Sequence, residues 1–479
     1  MHQRTLLATA ALAGSLLATL PATPAGAAPS GLSGDFNGDG YRDLAIGAWG
    51  ADVGSVHSAG AVVVLYGSSS GVSAARKTVI TQNSAGVPGA AETGDRFGAS
   101  LATADLNGDR YADLVVGSPY EGIGDHVGVG SVTVLWGGAS GLSGGAVLPQ
   151  PPETLLDDWV GYSFDVATGD FDGDGKTDVT ATGPSHTHLY RGPFTRTGSP
   201  SGHGIVWEAG GTSGVAAGDL DGDRLAERVY PAITDSDPGG LIRYIRHDPG
   251  NKAHPVSDYV AVELPRADGQ VAAIADVNGD HFGDLILGDP EDPRAGKRGG
   301  HKGGQITVWY GGPKGPDPAR TPTVIHQDTA GVPGTGEAGD RFGSAIDAGD
   351  VNGDGYADVA VGTPSKDLGK AKEAGAVTIL FGSASGLSGK GAAAYSQDTA
   401  GVPGTSEWSD SFGLTVRLVD LTKDGKAELI TGVGYENGYG AVTILRGTAS
   451  GLTATNAKSF TARDVSLKGD ANFGWAFGR

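Results

Sequence analysis

The 479-residue chain contains no cysteine, so no disulfide staples it and no thiol is available for lipidation behind the N-terminal segment. Positive charge is scarce as well. Thirty-four Lys and Arg stand against 55 Asp and Glu, for a formal net charge of -21. A surface of this sign lacks the basic groups that displace counterions from a polyanion, which argues against nucleic acid as a partner and disfavours an anionic membrane surface. The acid excess points instead to cations. Apolar residues make up only 38 % of the chain. Beyond the N-terminus there is no long apolar run, so no integral membrane segment is expected in the mature form. Glycine is abundant: 84 Gly and 25 Pro amount to nearly a quarter of the residues. Each glycine inside a helix costs ~0.8–1 kcal/mol relative to alanine, which excludes a mostly helical protein. The strict G-X-Y period of collagen is absent too. Turn-rich all-β architecture and disorder remain.

The first residues read as an export signal. Arg4 precedes an apolar run from Leu6 to Leu20, and Ala25-Gly26-Ala27 fits a small-residue cleavage site. The run is short for a bilayer-spanning helix. We therefore expect a signal peptide over 1–27, a single domain over 28–479, and a secreted, extracellular, monomeric product.

One acidic segment recurs seven times: DFNGDGYRDL from Asp35, DLNGDRYADL from Asp105, DFDGDGKTDV from Asp170, DLDGDRLAER from Asp219, DVNGDHFGDL from Asp276, DVNGDGYADV from Asp350 and DLTKDGKAEL from Asp420. Each leads into a short apolar run, such as Leu114-Val115-Val116, Leu285-Ile286-Leu287 or Val359-Ala360-Val361, which reads as a buried strand. A variable loop follows, then a second β-rich stretch: GAVVVLYG from Gly60, GSVTVLWG from Gly130, GQITVWYG from Gly304, GAVTILFG from Gly375 and GAVTILRG from Gly440. Phe97-Gly98, Phe342-Gly343 and Phe412-Gly413 stand at a constant offset before their acidic loops. The unit holds about four strands.

These residues resemble the FG-GAP repeat of the integrin α-chain N-terminal domain, a family that folds as a seven-bladed β-propeller with calcium in loops of this kind. The resemblance implies an all-β ring and a ligand-binding or adhesive role toward an extracellular protein or glycan. It weakens in the third to fifth copies, where Tyr162-Ser163, Gly211-Thr212 and Asp268-Gly269 replace Phe-Gly; these blades are expected to be the least regular. The first acidic loop has no Phe-Gly of its own, whereas the last segment supplies Phe473-Gly474 and then no loop. Pairing of the N- and C-terminal segments would complete one blade and close the ring.

Counting the first Asp as position 1, side-chain oxygens fall at positions 1, 3, 5 and 9, with the position-7 carbonyl between them. In the first loop these are Asp35, Asn37, Asp39 and Asp43, with Tyr41 at position 7. The second has Asp105, Asn107, Asp109, Tyr111 and Asp113; the third has Asp170, Asp172, Asp174, Lys176 and Asp178. The fourth has Asp219, Asp221, Asp223, Leu225 and Glu227. The fifth has Asp276, Asn278, Asp280, Phe282 and Asp284, and the sixth has Asp350, Asn352, Asp354, Tyr356 and Asp358. Ca²⁺ takes six to eight oxygens at about 2.3–2.6 Å, and alternate residues of a tight loop can turn theirs inward. Ile46 at position 12 excludes an EF-hand. A purely polar β-turn would explain the Asn-Gly and Asp-Gly pairs but not the position-9 carboxylate. The seventh loop departs most, with Thr422, Lys423 and Glu428 at positions 3, 4 and 9. Five to seven structural Ca²⁺ ions are expected.

Several motifs are better read as repeat furniture. Gly67-Ser68-Ser69-Ser70-Gly71 matches a hydrolase nucleophile elbow, yet alanine replaces Ser69 in the parallel copies at Ala139, Ala384 and Ala449. The GxGxxG from Gly334 lies in a loop, and Lys468-Gly469-Asp470 follows the repeat register. His186 and His188 alternate on one strand without an identifiable third ligand. Trp49, Tyr120, Trp408 and Tyr435 lie in or near the variable loops, where they either bind sugar or protein or pack between blades; an adhesive scaffold would bind through such loops as Trp49 to Ala59 and Tyr120 to Val129. The alternative is an extracellular hydrolase-associated propeller with a site in the central channel, built from Ser185 to His203. FG-GAP propellers accompany such enzymes as glycosylphosphatidylinositol-specific phospholipase D, where a separate domain carries the chemistry. Repeats fill this chain, and a binder is preferred to an enzyme.

Overall fold

The computed structural model describes residues 29–150, 161–184, 187–206, 214–231, 241–248, 259–265, 267–293 and 300–479. The expected signal peptide, His186 and Gly211-Thr212 lie outside them. Seven four-stranded antiparallel sheets form a seven-bladed β-propeller. In the second blade the strands run outward from the channel as Ser100–Ala104, Asp113–Ser118, Ser131–Trp136 and Ser143–Val147, each paired only with its sequence neighbours. The other blades repeat this order, and the third and fourth are complete despite their blurred sequence.

Ring closure follows from the chain ends. The innermost strand of the first blade is Ala476–Phe477, which pairs antiparallel with Leu44–Ala48, Phe477 opposite Ile46. The seven innermost strands touch one another in an unbroken circle around the channel.

The second and third strands are almost continuously apolar because blades face each other on both sides. Leu44–Ala48, Ala61–Leu65, Asp113–Ser118 and Ser131–Trp136 are buried at every position. The core accordingly lies between blades. One cluster joins Ile46, Val63 and Leu65 of the first blade to Ile430, Val442 and Phe460 of the seventh, so the closing seam is packed like the others. The Phe-Gly pair stitches these seams. Phe97, Phe342, Phe412 and Phe473 are wholly buried. Gly60, Gly304 and Gly375, which open the third strand of one blade, bridge in parallel to Phe97, Phe342 and Phe412 of the next. Glycine is required there: at Gly60, with φ at +90°, a Cβ would stand 2.3 Å from the Phe97 carbonyl oxygen. In the third blade Tyr162 takes the place of Phe, its N–H donating to the Val129 carbonyl at 2.9 Å.

This topology gives the ring two dissimilar faces. The acidic loops join first to second strands and share one face with the turns between third and fourth strands. The other face carries the loops between second and third strands and the links between blades.

Candidate functional site

Each acidic loop is a nest of backbone N–H groups turned onto its own carboxylates. Asp35 Oδ1 accepts from Asp39 N at 3.1 Å and Oδ2 from Gly40 N at 2.8 Å. Asn37 Oδ1 accepts from Asp39 N at 2.8 Å, and Asp39 Oδ1 from Tyr41 N at 3.0 Å. So tight a loop needs left-handed residues at positions 4 and 6, here Gly38 and Gly40 at φ of +72° and +88°. Position 6 tolerates Arg110, Arg224 and His281 in that conformation.

The position-9 carboxylate has a second task. Asp43 Oδ2 accepts from Phe36 N at 3.0 Å and Oδ1 from Gly67 N at 2.9 Å, which ties the acidic loop to the neighbouring hairpin turn. Asp113, Asp178, Asp284 and Asp358 repeat both bonds. Glu227 and Glu428 keep the first of them, to Leu220 N and Leu421 N. The first-to-ninth pattern that suggests metal ligation therefore also serves the hairpin. That turn in the first blade contains Gly67 to Gly71, with Gly71 N donating to the Ser68 carbonyl at 2.7 Å, and no helix follows it.

These side chains are buried and crowded by like charge. Burial, reinforced by the other carboxylates of the loop and opposed by the backbone N–H donors, raises Asp43, Asp113, Asp178 and Asp358 to about 7. The same causes bring Asp284 to about 6 and Glu227 to about 8. One carboxylate oxygen from each of Asp170, Asp172 and Asp178 lies within 4.8 Å of the others, and so it is for Asp219, Asp221 and Glu227. Such a set is all oxygen, which suits hard divalent cations rather than zinc. Arginines partly offset the charge at the rim: Arg76 lies 3.5 Å from Asp39, Arg196 2.7 Å from Asp109 and Arg191 2.8 Å from Asp172. In the seventh loop Arg446 lies 2.9 Å from Asp424, yet Thr422 Oγ1 and Glu428 Oε1 are buried without a hydrogen-bond partner, two oxygens at ligand positions.

Sequence reasoning assigned position 7 for its carbonyl and missed its side chain. A Cβ on Gly38 would stand 2.6 Å from the ring of Tyr111, on Gly222 2.8 Å from Phe282, and on Gly279 2.6 Å from Tyr356. The position-7 ring of one loop thus packs over the position-4 glycine of the preceding one. At the closing seam Lys423 occupies position 4 and its ammonium sits 6.0 Å from the Tyr41 ring centroid. Backbone bonds run the same way: Ala112 N donates to the Asp35 carbonyl at 3.1 Å and Ala357 N to that of Asp276 at 3.0 Å.

The opposite face carries an aromatic arc across four blades. Tyr435 meets Trp475 edge-on at 5.8 Å, and Trp475 meets Trp49 at 5.6 Å. The Arg96 guanidinium lies 4.5 Å from both the Trp49 and Tyr120 rings, and Tyr120 meets Phe164 at 5.5 Å. Beside it opens a cleft of about 670 Å³ bordered by His57, Glu92, Asp95, Arg96, Tyr120 and Val127. Trp49, Tyr120 and Tyr435 were legible as loop aromatics. Arg96, Trp475 and Phe164 were not, although Trp475 and Phe164 stand where other copies have Ala99 and Ser344. Trp408 is 74 % exposed. The tripeptide Lys468 to Asp470 belongs to a turn, where the Lys468 carbonyl accepts from Asp52 N at 2.9 Å.

The channel is lined mainly by small and aliphatic residues, with Phe164, Trp475 and Phe477 among them, and carries two ion pairs. Asp165 meets Arg479 and accepts from Val215 N at 3.0 Å; Asp347 lies 3.1 Å from Arg417 and accepts from Leu418 N at 2.7 Å. His188 instead stacks with Tyr190 and His203 in the third blade.

The FG-GAP repeat family matches residues 27–65, 97–135, 342–380 and 412–445, and an FG-GAP-like repeat matches 128–230. The chain is an FG-GAP repeat protein. Its propeller is of the integrin α type: mouse integrin alpha-IIb is 32 % identical over 241 residues, which cover 47 % of this chain and 20 % of the relative. Mouse phosphatidylinositol-glycan-specific phospholipase D is 31 % identical over 152 residues, 32 % of this chain and 18 % of that enzyme. The FG-GAP chain thus spans about a fifth of the length of these relatives. A solved Agrocybe aegerita lectin structure, described as recognising terminal N-acetylglucosamine, aligns over 91 % of this chain and 95 % of its own at a TM-score of 0.49 and 16 % identity. That likeness is too remote to speak to fold or ligand. No helix among the described residues is long and apolar enough to cross a membrane.

Proposed function

We propose that this FG-GAP protein is a secreted, calcium-stabilised binding scaffold whose ligand, an extracellular protein or glycan, docks on the face opposite the acidic loops. The observation that carries the reading is the arc of Tyr435, Trp475, Trp49, Arg96, Tyr120 and Phe164. Aromatic surface that is large, rigid and only half-buried adds contact area at little entropic cost, and Trp, Tyr and Arg concentrate binding energy at interfaces. Secretion rests on the sequence of residues 1–27.

Calcium would be held by the oxygens at positions 1, 3, 5 and 9 of loops one to six, with the position-7 carbonyls of Tyr41, Tyr111, Lys176, Leu225, Phe282 and Tyr356. The seventh loop would contribute Thr422 and Glu428 if it is filled. The support is chemical: buried carboxylates pushed toward neutrality by their own crowding gain from a hard cation among them. The ion supplies charge compensation and so fixes the loop. The chain's residues then hold the hairpin turn through position 9 and the next blade through position 7. The channel is a poorer candidate, since Asp165 and Asp347 are each engaged by an arginine and a backbone N–H.

Glycan-array and pull-down binding with calcium-loaded protein tests the proposal. Wild type is expected to retain a ligand that the Trp49→Ala and Arg96→Ala variants lose while keeping their melting temperatures within a few degrees. Absence of any ligand or cell-surface association, or binding indifferent to both substitutions, would count against the arc.

A further inference from the structure

On the arc-bearing face, the fifth blade brings together two imidazoles and a carboxylate that belong to no acidic loop. His301 lies just before the third strand Gln305–Trp309, and His326 and Asp328 follow the outer strand Thr323–Ile325. One donor atom from each lies within 4.8 Å of the other two. We propose that His301, His326 and Asp328 form a transition-metal site, taking Zn²⁺, separate from the calcium loops.

The orientation of each group supports this. The His301 Nδ1 faces the Lys302 carbonyl at 2.9 Å. A carbonyl only accepts, so Nδ1 carries the proton and Nε2 presents a lone pair 3.4 Å from Asp328 Oδ2. The other oxygen, Oδ1, accepts from Gly336 N at 3.0 Å, which fixes the carboxylate. Metal-bound histidines characteristically donate their second ring N–H to a carbonyl or carboxylate in this way. The His326 Nδ1 is buried and has no hydrogen-bond partner. Its ring lies flat on that of His301, centroids 3.5 Å apart and planes 2° from parallel, an arrangement hostile to two imidazolium charges.

The sister blades separate design from repeat register. Asn83 and Asp398 occupy the position of Asp328 and likewise accept from Ala91 N and Ser406 N, so the carboxylate position is common to the repeat. Thr81 and Ser396 stand where His326 does. His57 and Lys372 stand where His301 does, but each turns to an aspartate of its own loop, Asp52 at 3.2 Å and Asp367 at 2.6 Å. Gly336 replaces Ala91 and Ser406, and a Cβ there would meet the Lys302 carbonyl oxygen at 2.5 Å first, then Asp328 Oδ2 at 3.2 Å and His301 Cε1 at 3.5 Å. The fifth blade therefore adds a second imidazole and removes the side chain that would crowd it. Two nitrogens and one oxygen suit Zn²⁺ and not Ca²⁺. Tetrahedral bonds of about 2.0–2.1 Å place ligand atoms roughly 3.3 Å apart, close to the 3.4 Å Nε2–Oδ2 spacing, and bringing in His326 requires its ring to leave the stack. Three protein donors leave one coordination position open to solvent.

The test is a Zn²⁺ titration of the full chain in saturating Ca²⁺ at neutral pH, followed by calorimetry, with Co²⁺ absorption as a second readout. One Zn²⁺ per chain is expected, and visible bands of tetrahedral Co²⁺ that Zn²⁺ bleaches. His326→Thr installs the residue the first blade carries, and with His301→Ala it should weaken Zn²⁺ at least about tenfold while calcium binding stays unchanged. Failure of wild type to bind Zn²⁺ in the presence of calcium, or affinity identical in both variants, would overturn the site. Should either variant melt early, the Co²⁺ bands of wild type decide the matter alone.

Discussion

Replacing Asp113 by asparagine changes the charge of one acidic loop while keeping its shape, and the sign of the effect should depend on calcium and pH. The carboxylate accepts from Leu106 N at 3.0 Å and from Gly137 N at 2.8 Å. An amide has one acceptor oxygen, so one buried N–H loses its partner, at about 1–3 kcal/mol. Against this, burial, with smaller contributions from Asp109 and Asp105, raises the carboxyl from 3.8 to about 7 in the calcium-free protein. The folded state then holds the proton more tightly than the unfolded one. Its contribution is fullest below the unfolded pKa and is lost as pH climbs to about 7, after which the ionised group carries a cost on the order of 4 kcal/mol. In chelator at about pH 4, where little of that contribution has yet been lost, Asp113→Asn should therefore be the less stable protein, by about 1–3 kcal/mol. In chelator at mildly alkaline pH it should be the more stable, because the larger ionisation cost is gone. Calcium at a hundredfold excess over its dissociation constant adds ~2.7 kcal/mol per site to wild type and restores the first order. Unfolding entropy of about 2.1 cal/mol/K per residue makes each kcal/mol worth on the order of 1 °C in a chain of this size. Scanning calorimetry under these conditions reads the crossing. A variant that melts below wild type by the same margin in every buffer would refute the charge argument and leave position 9 a hydrogen-bond acceptor only.

Gly279→Ala should destabilise by about 2 kcal/mol or more, since φ is +75° and the new methyl meets the Tyr356 ring at 2.6 Å; an unchanged urea midpoint would remove the inter-loop wedge. Phe473 is wholly buried in the seam between the first and seventh blades, so Phe473→Ala should cost about 3–5 kcal/mol and expose that seam first in hydrogen exchange. Protection lost evenly around the ring would contradict a local closing seam. Arg96→Ala removes a cation held between two rings, worth about 0.5–1 kcal/mol for each. It should alter tryptophan fluorescence, and an identical emission spectrum would mean that the guanidinium does not rest on Trp49.

Much of this molecule can be read from the chain itself because its repeats are local. Asp35 to Asp43 and their six sister segments encode a loop whose bonds run between residues two to five apart, and the β-branched runs beside them can only be buried strands. Phe473-Gly474 follows the same local pattern, and the strand behind it, Ala476–Phe477, completes the first blade. The double use of position 9 is not legible in the same way, since its partner Gly67 lies 24 residues from Asp43. Nor is the packing of Tyr111 on Gly38, which joins different blades.

The sequence by itself determined seven β-rich repeats and their acidic positions, because each depends on short-range periodicity; that they form a propeller was implied by the resemblance to the integrin α repeat and shown by the seven sheets. Only the tertiary structure decided which residues meet across blades. Trp475 comes from the end of the chain and Trp49 from near its start, yet they touch at 5.6 Å because closing the ring makes the last inner strand a neighbour of the first blade. His301 and His326 are set face to face by a loop and a strand end of one sheet. The first contact is a product of the circle and the second of strand pairing within one blade, and no local pattern contains either.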